Sequence, residues 1–143
     1  MNTKTAIFGT IALVAILTGA CSAAMGSSAQ TTFAASYDEF MQTKNISKQI
    51  TINEGSELLV NLPSNPSTGY NWTETTIENP DILAQAKSEY VAPNAAAVGG
   101  AGNQVWTLKA SGKGTTTFKT DYSRPWEGGE KDEWIFQLVV TVQ

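Results

Sequence analysis

The side chains that most often carry out chemistry are scarce in this chain of 143 residues. It contains no histidine, one cysteine (Cys21) and one arginine (Arg124). Without histidine it lacks the commonest general base and the commonest transition-metal ligand in proteins. Its 13 carboxylates are scattered and form no catalytic constellation. The acidic run at 130–133 is most simply a solvated hairpin edge, because its spacing does not match a calcium site. We therefore predict that the protein is not an enzyme and holds no metal and no cofactor.

Three short segments suit recognition better than catalysis. They read Asn65-Pro66-Ser67-Thr68-Gly69, Gly99-Gly100-Ala101-Gly102 and Arg124-Pro125-Trp126. In the first, the proline favours an extended asparagine and the final glycine permits a positive φ, which predicts a stiff projecting loop. The second is bare backbone that a partner can approach closely. The third combines arginine with tryptophan, two residue types enriched at interface hot spots.

Each segment taken alone also has an ordinary structural interpretation. The first resembles a common Asn-Pro turn, and the second a linker that lacks the helix and lysine of a phosphate-binding loop. In the third, Trp126 could fold back over the end of the domain with Arg124 stacked on it. These alternatives stay open for any single segment, and only the combination favours a shared binding surface.

Alternating apolar residues predict seven strands in the segment 46–143. They fall at 47–52, 57–62, 70–75, within 82–91, 104–110, 115–122 and 134–142. Short strands separated by Gly, Pro, Asn and Ser turns predict an all-β fold, an immunoglobulin-like antiparallel β-sandwich of about seven to eight strands. Alternate connections of such a sandwich lie at the same end, so we expect all three segments on one tip.

The three segments in this order resemble the chagasin-type inhibitors of papain-like cysteine peptidases. That family presents an Asn-Pro-Thr-Thr-Gly loop, a Gly-rich loop and an Arg-Pro-Trp-type loop, and the resemblance runs from about Ser47 to Gln143. It departs from the family pattern at Ser67, which keeps a hydroxyl where threonine is usual, and at Ala101, which replaces a glycine.

The resemblance implies a reversible, noncovalent inhibitor that occludes the active-site cleft of a papain-like cysteine peptidase. By that resemblance the first loop lies close to the catalytic Cys–His pair. Trp126 would lie against an aromatic surface beside the cleft, while Arg124 orders its loop or contacts the enzyme. The alternative is a surface-anchored binding or adhesion module that uses the same tip, because such sandwiches support many functions.

The N-terminal residues predict export. Lys4 precedes an uncharged run at 6–20, which has the length of a signal-peptide core and is short for a membrane helix. Small residues before Cys21 resemble a lipobox, so we expect a signal peptide at 1–20 and a lipidated Cys21 at the cell surface or outer membrane. The alternative is an ordinary cleaved signal and a secreted protein.

The segment at 21–45 is rich in Ala, Ser, Thr and Gln, and we interpret most of it as a flexible tether. Two alternatives are open for 34–41: a short helix with Tyr37, Phe40 and Met41 on one side, or a stretch that docks weakly on the sandwich or is mobile. Because the strand at 47–52 should begin at the loop end, the tether is expected to enter on that side. A net charge of −4 with one arginine argues against nucleic acid. We expect a monomer that contacts the membrane only through its lipid anchor.

Overall fold

The computed structural model describes residues 28–94 and 101–143. Every one of the seven predicted strands is present, and the all-β sandwich is confirmed. The elements in chain order are β1 (Gln30–Ala34), α1 (Tyr37–Gln42), β2 (Asn45–Ile52), β3 (Glu57–Ser64), a 3-10 turn (Pro66–Thr68), β4 (Asn71–Ile77), β5 (Leu83–Val91), β6 (Gly102–Ala110), β7 (Gly114–Ser123) and β8 (Trp134–Val142).

Two four-stranded sheets enclose one hydrophobic core. Their strand orders are β1-β3-β6-β5 and β2-β8-β7-β4. The period of two is clearest in β8, where alternate side chains from Trp134 to Val142 are buried and those between them are partly exposed. Rings of the two sheets meet across the core, as where Trp106 of β6 contacts Phe118 of β7 with centroids 5.6 Å apart. In the ranges that the structure describes, no helix is long and apolar enough to span a membrane.

The sheets are mixed, whereas the sequence predicted antiparallel ones. β1 runs parallel to β3, and β2 runs parallel to β8. Both parallel strands come from the N-terminal segment, which rises along the edge of one sheet, crosses through α1 and descends along the edge of the other. A crossover between sheets, unlike a hairpin, does not force neighbouring strands to run in opposite directions.

Residues 30–45 differ from the flexible tether that the sequence predicted. β1 pairs with β3 over its whole length, and α1 buries Phe40 completely in the core. The helix begins with a capping box, in which the Glu39 amide donates to Ser36 Oγ at 3.2 Å and the Ser36 amide donates to Glu39 Oε2 at 2.8 Å. The short helix that the sequence left as an alternative is therefore present, and the structure shows in addition that it is docked on the sandwich. Cys21 and the signal peptide lie outside the described residues.

The chain also enters the fold from the end opposite the three loops. β2 does begin at the loop end as expected, but β1 precedes it and rises from the other end. There the Glu57 amide donates to the Ala29 carbonyl at 3.0 Å, and Ser28 lies beside Gly55 and Ser111. The expectation that the N-terminal segment arrives on the loop side is therefore wrong, because it counted β2 as the first strand.

Candidate functional site

Within the described residues, the three segments converge at one end of the sandwich. The first follows β3, and the amide of Asn65 donates to the hydroxyl of Tyr122 near the end of β7 at 2.8 Å. Gly102, the last residue of the second segment, pairs with Ser64 immediately before the first. Gly99 and Gly100 lie outside the described residues, so the second segment is placed by Ala101 and Gly102 alone.

The first loop is held by its own side chains. Pro66–Thr68 forms a 3-10 turn that ends at Gly69, whose φ is +82°. The Thr68 hydroxyl donates to the Asn65 carbonyl at 2.7 Å, and the Ser67 hydroxyl donates to the Asn65 side-chain oxygen. The stiffness predicted from proline and glycine is therefore reinforced by both hydroxyls, including the one that replaces the usual threonine.

The third loop packs directly on the first. The ring of Trp126 lies so close to Gly69 that a Cβ added there would be 2.4 Å from its Cη2 atom. Even so, 51% of Trp126 is exposed. The ring thus partly folds back, as one sequence interpretation had it, and still presents half of its surface at the tip.

Arg124 links the two loops. Its Nη2 donates to the Thr68 carbonyl at 3.3 Å, and its guanidinium carbon lies 4.4 Å from the ring centroid of Tyr70. The same carbon lies 5.9 Å from the ring of Trp126. Arginine stacks well on aromatic faces, so these contacts order both loops in one arrangement.

Lys131 closes the third loop, a role that the sequence analysis missed. Its Nζ donates to the carbonyl of Arg124 at 2.6 Å and to that of Trp126 at 3.0 Å. The Arg124 amide donates to the Glu130 carbonyl at 2.8 Å, and Gly128 turns the chain with a φ of +73°. The glycine pair at 128–129 was the available signal, because a tight turn there returns the next residues to the start of the loop.

A stack of aromatic rings supports the two loops from beneath. Tyr122 stacks on Trp134 at 4.7 Å and 12°, and on Tyr70 at 5.4 Å and 20°. The indole N–H of Trp72 donates to the Pro63 carbonyl at 2.9 Å, just before the first loop. Aromatic packing of this kind adds to the energy of burial, and it gives the loops a fixed base.

The acidic run at 130–133 is exposed for the most part, as predicted, but two of its members make specific contacts. The Tyr70 hydroxyl donates to Glu130 Oε2, and Lys44 lies 2.8 Å from Glu133 Oε1. Hydrogen bonding from Tyr70 is the main cause that lowers the pKa of Glu130 below its usual 4.5, and Arg124 adds to it. The same bond raises the pKa of Tyr70 above its usual 10.0.

These shifts predict how the Tyr70–Glu130 contact depends on pH. Because the pKa of Glu130 is lowered in the folded protein, the contact stabilises the fold above pH 4.5, and this stabilisation is lost as the pH falls through the lower folded pKa. Because the pKa of Tyr70 is raised, its contribution to stability is present below pH 10.0 and is lost as the pH rises through the higher folded pKa. We expect the melting temperature of the natural protein minus that of Tyr70→Phe to be constant between about pH 5 and 9 and to shrink below about pH 4. An undiminished difference near pH 3 would contradict it.

Replacing Gly69 by alanine should disturb the loops without unfolding the domain. The new methyl group would collide with Trp126, and the alanine would have to adopt a positive φ, which strains its backbone. We therefore expect the third loop to move and binding at the tip to weaken about tenfold. Gly55→Ala is the matched control, since Gly55 has the same φ of +82° and no atom within 4 Å of the added Cβ. Equal effects of both variants on binding would show that the collision with Trp126 has no consequence.

Comparison with known proteins bears on this tip. The model of the "Chagasin family peptidase inhibitor I42" matches residues 51–140. Chagasin of Trypanosoma cruzi is 29% identical over 92 residues, which cover 62% of this chain and 84% of chagasin.

Two solved structures share the fold. The crystal structure of the cysteine protease inhibitor EhICP2 from Entamoeba histolytica has a TM-score of 0.63 and 25% identity, over 80% of this chain and 97% of that one. The structure of PbICP-C in complex with falcipain-2 has a TM-score of 0.50 and 18% identity, over 82% and 100% of the two chains. The range matched by the family model contains all three segments. The chain therefore belongs to the chagasin family of peptidase inhibitors.

Proposed function

We propose that this protein inhibits papain-like cysteine peptidases by inserting its tip into the active-site cleft, reversibly and without a covalent bond. The observation that carries the proposal is the packing of the first and third loops into one surface, with Trp126 lying on Gly69 and half exposed. The family is one of inhibitors, which agrees with the expectation that the chain is not an enzyme.

The distribution of exposed apolar side chains supports this assignment. Large hydrophobic residues are exposed at five described positions, and all five lie at the loop end of the sandwich. They are Tyr37 and Met41 of α1, Tyr90 and Val91 at the end of β5, and Trp126. Exposed apolar residues that gather in one place mark an interaction surface, whereas single scattered ones are ordinary.

The mechanism is a rigid plug. Three loops approach the cleft side by side, with the first at the catalytic centre and the other two against its walls. None of them runs along the cleft as a substrate does, so no peptide bond is presented for attack. The internal hydrogen bonds of the first loop and the Arg124 and Lys131 contacts lower the ordering cost of binding.

Titration of the purified protein against papain and a cathepsin-like enzyme tests the proposal. We expect inhibition that reverses on dilution, and mass spectrometry should recover the inhibitor uncut. Inhibition that is absent with several papain-like peptidases would favour the alternative of a binding or adhesion module that uses the same tip.

We further propose that the protein is exported and anchored through a lipid on Cys21, and that it acts as a monomer. The lipobox-like residues before Cys21 support export and lipidation. The chain enters the fold at Ser28, at the end opposite the loops, so an anchor that precedes Ser28 leaves the inhibitory tip facing away from the membrane. Cys21→Ser should move the protein from the membrane to the soluble fraction without weakening its inhibition, and an unchanged distribution would exclude lipidation at this residue.

A further inference from the structure

We infer that helix α1 is a fourth peptidase-contacting element, which binds apolar side chains of the enzyme beside the active-site cleft through Tyr37 and Met41. This inference rests on the proposed function and extends it. The helix precedes residues 51–140, the range that matches the family model, so the contact would be additional to the three loops.

The helix lies at the same end of the molecule as the three loops. It follows β1, which ends there beside β3, and it precedes β2, which begins there beside β8. Tyr37 and Met41 line a concavity of about 480 Å³ together with Thr68 of the first loop and Arg124 of the third. A partner that contacts both loops would therefore meet α1 on the same continuous surface.

The two side chains are offered on a fixed scaffold. They are four residues apart and so lie on one side of the helix, 49% and 61% exposed, while Phe40 between them is buried. Phe40 stacks on Trp134 at 4.9 Å and 19°, and the ring of Tyr37 meets Trp134 edge-on at 5.3 Å. A short helix held in this way loses little freedom when a partner covers its exposed side.

The residues that line the concavity suit an apolar occupant, because the concavity has an aromatic and thioether centre and a charged rim. Two cations and two carboxylates surround it and balance one another, with Lys44 paired to Glu133 at 2.8 Å and Glu130 bonded to Tyr70. Partnered charges around aromatic and thioether side chains are the arrangement of a protein interface, with an apolar centre and a polar margin. Methionine adapts its shape to the surface it meets, which suits it to enzymes that differ beside the cleft.

The test compares variants of the protein purified from cells that express the full chain. Tyr37→Ala/Met41→Ala should raise the inhibition constant for a papain-like peptidase about tenfold, mainly through faster dissociation. Met41→Ala alone should raise it about threefold, and it leaves the core untouched because Met41 is largely exposed. Gln42→Ala is the matched control, since Gln42 is exposed on the same helix and does not line the concavity.

The outcomes separate this inference from the function on which it rests. A contact by α1 is supported if both variants that change Met41 inhibit more weakly, while Gln42→Ala inhibits as the natural protein does and Met41→Ala keeps the natural melting temperature. If the natural protein inhibits and Trp126→Ala weakens it while both Met41 variants inhibit fully, the inference is wrong and the proposed function stands. If the natural protein inhibits no papain-like peptidase, both are wrong.

Discussion

Trp126→Ala should weaken inhibition of a papain-like peptidase by about 30-fold or more, which corresponds to at least ~2 kcal/mol of binding free energy. Trp126 is 51% exposed at the tip, yet its position is fixed. Its ring lies on Gly69, and its backbone carbonyl accepts a hydrogen bond from Lys131. A large ring that needs little ordering before it is covered is typical of an interface hot spot.

The inhibition constant and the melting temperature should be measured together for this variant. The melting temperature should change little, because Trp126 contributes a loop contact and no part of the core. Trp126→Phe keeps an aromatic ring, so its inhibition constant should lie between those of the alanine variant and the natural protein. Undiminished potency of Trp126→Ala would remove this residue from the interface and leave the first loop to account for binding.

The strands were predictable because their burial follows a local rule. Inward apolar residues recur at every second position through all of β8 and over shorter stretches of β3 and β6, at 58–62 and 106–110. Such a period of two can be read without knowing what each strand contacts. The end at which the loops gather follows from strand alternation, so the location of the site could also be predicted.

The N-terminal segment could not be predicted in the same way. Phe33 is an isolated apolar residue among Ala and Thr, and the helical spacing of Tyr37, Phe40 and Met41 covers little more than one turn, which is too short to mark Phe40 as a member of the core. Their burial depends on rings that lie about a hundred residues away, since Phe33 meets Phe136 at 5.4 Å and Phe40 meets Trp134 at 4.9 Å. The parallel pairing of β1 with β3 and of β2 with β8 likewise depends on the neighbouring strands and not on the sequences of β1 and β2 themselves.

Within the site, residue types were predictable and their contacts were not. Glycine at 69 was expected for its positive φ, and the structure adds a second requirement, the close approach of Trp126. The clamp by Lys131 depends on how the turn at Gly128 returns the chain, and Arg124 stacks on Tyr70 of a different loop. Such contacts join distant parts of the chain, and composition alone does not specify them.

Phe40→Ala should lower the free energy of unfolding by about 3–5 kcal/mol, the range found when a large buried aromatic side chain is removed. Phe40 has no exposed surface, stacks on Trp134 and lies 5.5 Å from the ring of Trp72. Its loss would leave a cavity between the helix and both rings. Denaturant unfolding of the protein measures the change.

Met41→Ala is the matched control, because Met41 is the next residue along the helix and is 61% exposed. Its effect on unfolding should stay within about 0.5 kcal/mol. Similar small effects of both variants would mean that residues 30–42 are an appendage, as the tether interpretation held. A large effect of Phe40→Ala alone makes the segment part of the core, and then the rings that support Tyr70 and Tyr122 depend on it. Inhibition should in that case weaken in Phe40→Ala even where the domain remains folded, because the loops would lose part of their base.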